Sequence, residues 1–409
     1  MKRTTPKNRF GKRRPYKGIN NPIDDTKVDT MAPALHPGVY IEEVSAHPPI
    51  IAAVATNVAG FIGKTEHIVK DGFDNNTLLN VPTRITSWAE YSDKFGGYDE
   101  EHSPYLALSV KGFFDNGGTT CFIVRVPDQA STADFIGDSG DTKKGLATLE
   151  NIDVNIICMP GVTDISVQQA MIRHCENLKY RFCIIDSAES ADIHSLKERR
   201  SHLNSSYGAL YYPWLKVPGG SADSVVMPPS GFIAGAFARV DTVSGVHKPP
   251  ANIGFNGVVD VLVDITNTQQ ETLNLLHINC LRSFPNRGVV IWGARTLSSE
   301  PEWKYLNVRR LFNFIEESIY KGTLWAAFEP NGEVLWAAIR STVEAFLTQL
   351  WREGMLQGGK ADDAFFVQCD RSLHTQADID NARLHINIGL APLKPAEFIV
   401  IKMEQSAKG

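Results

Sequence analysis

The sequence predicts a mixed α/β protein built on a largely parallel sheet, and three observations carry that reading. Between residues 87 and 212, short apolar runs alternate with segments of helical periodicity, the pattern of strand–helix–strand units. Pro and Gly crowd residues 213–257, which marks long ordered loops around one short helix. The last third carries two strong helical patterns followed by short strands. Of the 409 residues, 43% are apolar and 21% charged, enough for a large core. No run of ~18 apolar residues could span a membrane; the best candidate, Ile50 to Ile62, is short and contains Thr56 and Asn57.

The formal charge of −5 is unevenly spread. Residues 1–18 hold eight Lys or Arg and no acid, so the remainder carries −13. Pro15, Asn20, Asn21 and Pro22 follow this basic start where a secretory signal would place an apolar stretch, so a cytosolic chain is expected. Residues 1–34 are too poor in apolar groups to order themselves. A solvated tail and a docking segment for an acidic partner are both open for them; a membrane anchor is disfavoured, because no apolar face is present.

Order is expected from His36-Pro37-Gly38. Val39 to Val44 suits a strand ended by Pro48-Pro49, and Ala52 to Ile62 reads as a second, more buried strand. Helices are predicted over 87–95 and 105–114, the latter stopped by Asn116-Gly117-Gly118. Strands are predicted over 120–126, 155–159, 181–186 and 209–212, with helices over 165–178 and 191–203 between them. A short helix over 231–240 precedes a buried strand over 288–293. Ser299 and Glu302 have capping-box spacing, with Pro301 early in the helix that carries Val308, Leu311, Phe312, Ile315 and Ile319. A second helix over 333–352 aligns Leu335, Ile339, Val343, Phe346 and Leu350 and ends at Gly354. After Gly358-Gly359 come strands over 364–369, 384–390 and 398–403. In the middle one Leu384, Ile386, Ile388 and Leu390 alternate with Arg383, His385, Asn387 and Gly389.

Motifs that would carry chemistry are incomplete. Gly63-Lys64-Thr65 ends like a phosphate loop, but Val58 stands where the first Gly is required. His194, Glu198 and His202 share a helical face, yet Lys197, Arg199 and Arg200 make a solvated face the better reading than zinc. Ser230 and Ser244 lack the hydrolase elbow, and Asp362, Asp363, Asp378 and Asp380 read as loop and turn residues. The six cysteines form no CxxC pair and sit in apolar runs, so buried free thiols are expected. No catalytic, cofactor or metal residues are assigned.

Several segments, in order, carry a resemblance. The first is Pro37-Gly38-Val39-Tyr40-Ile41-Glu42-Glu43-Val44, followed by the run ending Gly60-Phe61-Ile62-Gly63. Next come Pro229-Ser230-Gly231, Ala238-Arg239-Val240-Asp241, Gly245 and Pro250-Ala251-Asn252, and then Val290-Ile291-Trp292-Gly293-Ala294-Arg295-Thr296-Leu297. Val308-Arg309-Arg310-Leu311, Glu316-Glu317-Ser318-Ile319 and Phe328-Glu329-Pro330-Asn331 with Trp336 follow, and Ala391-Pro392-Leu393-Lys394-Pro395-Ala396-Glu397-Phe398 closes the series. From residue 37 to about 404 the chain resembles the contractile tail sheath proteins. Residues 64–225 match mainly as a pattern, and the basic extension departs from the family.

The resemblance implies a mechanical protein. Subunits would stack as hexameric rings into a sleeve around a rigid inner tube and contract to drive it through a target envelope, with no cofactor or nucleotide. Implied partners are further copies of the chain, an inner tube protein, and baseplate and terminal cap proteins, with no nucleic acid and no membrane insertion. Assembly is expected in the bacterial cytoplasm, into a phage tail or phage-tail-like particle. The implied division is a basic extension (1–34), an N-terminal arm with the first core strands (35–62), an inserted outer α/β domain (63–257) and a C-terminal core domain with its arm strand (258–409).

The resemblance also implies arms that add strands to neighbouring subunits. These are Val39, Tyr40, Ile41, Glu42, Glu43 and Val44 at one end, and Phe398, Ile399, Val400, Ile401, Lys402 and Met403 at the other. Leu384, Ile386, Ile388 and Leu390 would form the accepting strand, and Arg352, Gln357 and Lys360 would face the tube. Strand addition suits terminal strands, and a heterologous contact that does not close propagates as a helix. The strand pattern alone equally allows both termini to pair within their own subunit. The rival from another class is an α/β enzyme whose basic tail neutralises phosphates; only Phe10 and Tyr16 interleave that tail, and the body is acidic.

Overall fold

The apolar runs of the first three quarters are drawn into one sheet. The computed structural model describes residues 50–100, 104–137, 143–219 and 224–398. The sheet strands are β1 (Ala59–Gly63), β2 (Thr83–Ile85), β3 (Cys121–Arg125), β4 (Ile156–Cys158), β5 (Phe182–Asp186), β6 (Gly208–Tyr212), β7 (Ile278–Phe284) and β8 (Gly288–Trp292). They lie in the order β8-β7-β6-β5-β4-β1-β3-β2. The six inner strands are parallel, with Ala59 opposite Cys121 on one side and Ile156 on the other. Only the edge strands β2 and β8 run antiparallel. The expected mixed α/β architecture with a largely parallel sheet is what the chain adopts.

Both faces of this sheet are covered, as a parallel sheet requires. Phe61, Ile123, Ile184 and Tyr211 point into one layer with helices α1 (Trp88–Phe95), α2 (Leu106–Asp115) and α5 (Ser230–Ser244). The alternate residues Ile62, Val124, Ile185 and Leu210 point into the other, with α3 (Ile165–Leu178), α4 (Ile193–Ser201) and α6 (Asn267–Leu275). Helices α2 and α5 approach closely because Gly112, Gly231 and Gly235 stand at their contact; a Cβ on Gly235 would lie 2.5 Å from the Phe113 carbonyl oxygen.

A third core lies between α7 (Leu306–Gly322) and α8 (Glu333–Arg352). Leu311, Phe314 and Ile315 meet Ile339, Val343, Phe346 and Leu347 there. Strands β9 (Phe365–Gln368) and β10 (Asn387–Leu390) form an antiparallel pair whose Phe365, Val367, Ile388 and Leu390 pack against the same core. All six cysteines are buried thiols. No helix among the described residues is long and apolar enough to cross a membrane.

Three expectations need correction. Strand β1 starts at Ala59, not Ala52, because residues 50–58 cross α7 as irregular chain bonded to side chains. Ser299 and Glu302 do not cap a helix. The Thr296 N–H and hydroxyl donate to the Lys304 and Trp303 carbonyls, which keeps those carbonyls from serving a helix, so only a 3₁₀ turn forms there and α7 opens at Leu306. Strand β10 spans four residues; Leu384 and Ile386 pack on the third core ahead of it, outside the ladder.

Candidate assembly surfaces

The expected N-terminal arm strand, Val39 to Val44, lies outside the described residues, as do Ile399, Val400, Ile401, Lys402 and Met403. Phe398 is described and is 75% exposed. Strands β9 and β10 pair only with each other among the described residues, in the register Phe365–Leu390 to Gln368–Asn387. Each therefore has a second edge with no strand partner there.

Arg352, Gln357 and Lys360 come together at the C-terminal end of α8, all three exposed. Arg352 lies in the last turn, where a cation complements the helix dipole. The Gln357 N–H donates to the Ala391 carbonyl at 2.8 Å, which ties this corner to the C-terminal segment. Lys360 pairs loosely with Asp363 at 3.9 Å, both exposed.

Two further groups fasten the first and last stretches of the described chain, residues 51–58 (the N-terminal root) and 393–397 (the C-terminal root). At the N-terminal root, residues 51–58 lie along α7. Ile51 packs where Gly322 leaves room, since a Cβ there would meet it at 2.7 Å. The Val54 N–H donates to Ser318 Oγ at 3.3 Å. Asp241 and Arg310 make a two-pronged pair at 2.9 and 2.6 Å. Thr56 joins it: its hydroxyl donates to Asp241 at 2.6 Å, and its carbonyl accepts from Arg310 at 3.0 Å. The Val58 N–H donates to Asn155 Oδ1 at 3.3 Å.

The C-terminal root sits where α7 begins, about one turn ahead of Arg310. Glu397 accepts both prongs of Arg295, at 2.9 and 2.5 Å, and the Tyr305 hydroxyl at 3.2 Å. Lys304 stands 3.7 Å away. Burial opposes ionisation of Glu397, but hydrogen bonding and attraction from Arg295, with help from Lys304, hold its pKa below the usual glutamate value. The Leu393 carbonyl accepts from Asn307 at 3.0 Å.

Arginines 295 and 310, Asp241 and Glu397 all stand in segments that carry the family resemblance, yet nothing local marks them as fasteners. The paired residues are 69 and 102 positions apart.

The motifs with chemical overtones are built into the scaffold. Thr65 is buried and accepts from Arg125 Nε at 2.9 Å, and loop follows β1 where a phosphate site would need a helix. His194, Glu198 and His202 are exposed on and just after α4. Ser230 is buried and donates its N–H and hydroxyl to Asp186 at 2.9 and 2.7 Å. Burial pushes the Asp186 carboxyl up to about 7, against the lowering pull of these bonds and the Gly161 N–H. This Ser–Asp contact seats the start of α5 on the end of β5.

Residues 137–297 match the phage tail sheath protein central domain, and residues 298–406 match the phage tail sheath C-terminal domain. The chain is similar to the sheath protein of the extracellular contractile injection system PVC, solved in the contracted state. The two are 31% identical with a TM-score of 0.73, over 92% of this chain and 99% of that one. It is 22% identical to the tail sheath protein of Escherichia phage P2 over 91% of this chain and 96% of that one. It is 31% identical over 181 residues to that of Vibrio phage KVP40, matching 43% of this chain but only 26% of that longer protein. With a six-stranded parallel core, a separate α7–α8 layer, family matches over residues 137–406 and a relative matched over 92% of the chain, the chain belongs to the contractile tail sheath protein family and is a sheath protein of a contractile tail or injection system.

Proposed function

We propose that this chain polymerises as stacked hexameric rings around an inner tube and contracts to drive that tube through a target envelope. The observation that carries the reading is the β9–β10 pair. It is a two-stranded sheet with both outer edges unpaired among the described residues, packed on a firm helical core. Such an edge is a template for strands from other chains. In this reading Val39–Val44 and Phe398–Met403 are the donated strands, and the segment ending at Leu390 accepts them. Arg352, Gln357 and Lys360 face the tube, and residues 63–257 lie outward of α7 and α8. Baseplate and terminal cap proteins bound the sleeve. Assembly takes place in the bacterial cytoplasm, and the basic residues 1–30 add a salt-dependent contact to a neighbour's acidic surface. Energy stored during assembly drives contraction, so no catalytic step is invoked.

Electron microscopy of the purified full chain tests this: rings or sleeves are expected. Chains lacking residues 1–46, or ending at Glu397, are expected to fold and remain unassembled. Normal assembly by either truncated chain would overturn the strand-exchange reading.

A further inference from the structure

The connection between α7 and α8 and the helix ends beside it present exposed apolar side chains, although Tyr320 stacks on Tyr180 with ring centroids 6.0 Å apart. Phe328 is 107% exposed, Val334 87%, Leu324 55% and Tyr320 54%. Phe328 also has a φ of +70°, a left-handed conformation that is uncommon for a bulky residue. An exposed Phe in that conformation gives the lone subunit neither burial nor backbone ease.

The connection is nevertheless held on both sides. Thr323 bonds back to Ile319 through its N–H and hydroxyl, at 2.9 and 2.7 Å. The Glu329 N–H donates to the Ala326 carbonyl at 3.3 Å. Asn331 donates to the Arg383 carbonyl at 3.0 Å and accepts from Trp336 Nε1 at 2.8 Å. Trp336 in turn stacks on the buried His374 with ring centroids 4.2 Å apart. Phe328 thus projects from a braced turn, the preorganised aromatic anchor that protein interfaces favour.

We propose that this turn, with Phe328 at its tip and Leu324 and Tyr320 beside it, docks on a second copy of this chain, the neighbour that takes the N-terminal arm strand. The proposal rests on the strand-exchange reading above. Chain geometry selects this occupant. Ile51 packs against Gly322, two residues from both Tyr320 and Leu324, and Ile50 beside it is 90% exposed. Ile50, where the described chain begins, therefore stands at the base of this patch. Five residues lie between Val44 and Ile50, and an extended chain covers about 20 Å at most over those six steps. A subunit that receives Val39–Val44 must lie within that reach of Ile50. The strand contact supplies backbone hydrogen bonds, and the apolar turn supplies the buried anchor that such bonds lack.

Phe328→Asn in the full chain separates this role from a structural one, because Asn tolerates left-handed backbone far better than Phe. The variant is expected to unfold at the same temperature as the wild type or higher, while the yield of sedimentable sleeves falls by about tenfold, the effect of losing one aromatic anchor. Undiminished sleeves overturn the proposal. A photoreactive benzoylphenylalanine at position 328, irradiated in native particles, is expected to give a product of two copies of this chain. A product with a different particle protein, or none, overturns it. Failure of the wild-type chain to assemble would overturn the polymer reading and this contact with it; wild-type sleeves matched by Phe328→Asn sleeves overturn the contact alone.

Discussion

The two roots are fastened by the same chemistry, an arginine fork on a carboxylate, but the forks do different jobs. At the N-terminal root the pair is sealed in: the side chains of Arg310 and Asp241 are 4% and 2% exposed. It also shares its work with Ile51 packing and with N–H bonds from Val54 and Val58. At the C-terminal root Glu397 is the outermost fastener, preceded by the Asn307–Leu393 bond and by the bonds of Ala391 to Gln357 and Ala364. Its neighbours Lys394, Ala396 and Phe398 are exposed. The first root is part of the fold, and a pull on it is resisted by the core. The second is a peripheral latch whose Arg295 and Glu397 side chains are still only 6% and 15% exposed, and one substitution is expected to open it without unfolding the body.

The sharpest way to break this contrast is at the buried pair. Asp241→Ala leaves Arg310 charged and without its carboxylate in a dry site, a loss of about 3–5 kcal/mol. A fall in the unfolding transition of that size is expected, by heat or by denaturant, with assembly lost along with stability. The double variant Asp241→Leu, Arg310→Met is expected to be less destabilised than either single change, because no charge is left unpaired. A transition unchanged in Asp241→Ala would mean that the N-terminal root is as superficial as the other.

Glu397→Gln should act in the opposite sense. Loss of the charged bonds to Arg295 costs about 1.5–3 kcal/mol locally, but the segment is peripheral, so the global transition should barely move. Hydrogen exchange at residues 391–398 should rise, and, on the proposed strand exchange, assembly should fall. A global fall as large as that of Asp241→Ala would erase the difference between the roots. Acid sharpens it further. The folded pKa of Glu397 lies below its usual value of 4.5, so its contribution is complete above that pH and disappears as the pH falls through the lower folded value. Exchange at 391–398 should therefore be flat through neutral pH and climb in acid, while the N–H groups of Val54 and Val58 are bonded to Ser318 and Asn155, which do not titrate.

Legibility from sequence followed the same divide. Helix α8 was read to its ends, because one apolar face repeats over twenty residues and Gly354 follows it. Helix α3 was equally plain, opened by the Asp164 side chain on the Ser166 N–H. Strand β7 was missed, because Asn279, Arg282 and Ser283 break its apolar run; Asn279 is buried, and it bonds the Leu210 and Arg295 carbonyls. The stretch from Ala52 has the apolar content of a strand, but Ile51 and Val54 are apolar so as to lie on α7, not to join a ladder. The roots stayed invisible for a simpler reason. A carboxylate and a guanidinium that meet across 69 or 102 residues leave no periodicity and no spacing to read.

The smallest effect is expected at Ser318, and it tests whether the N-terminal root is truly distributed. Its hydroxyl accepts the Val54 N–H at 3.3 Å, a long bond among those that hold the strap of residues 51–58. Ser318→Ala removes an acceptor without leaving a charge, so the cost should be about 1 kcal/mol, and residues 51–58 should stay in place on Ile51 and on the Arg310–Thr56 bond. Hydrogen exchange is the measurement that decides. A rise confined to Val54, with sleeves forming at the wild-type level, is the signature of a fastening that many contacts share. Simultaneous loss of protection from Ile51 to Val58 would mean that the strap depends on one hydrogen bond, and the N-terminal root would then be a latch of the same kind as Glu397.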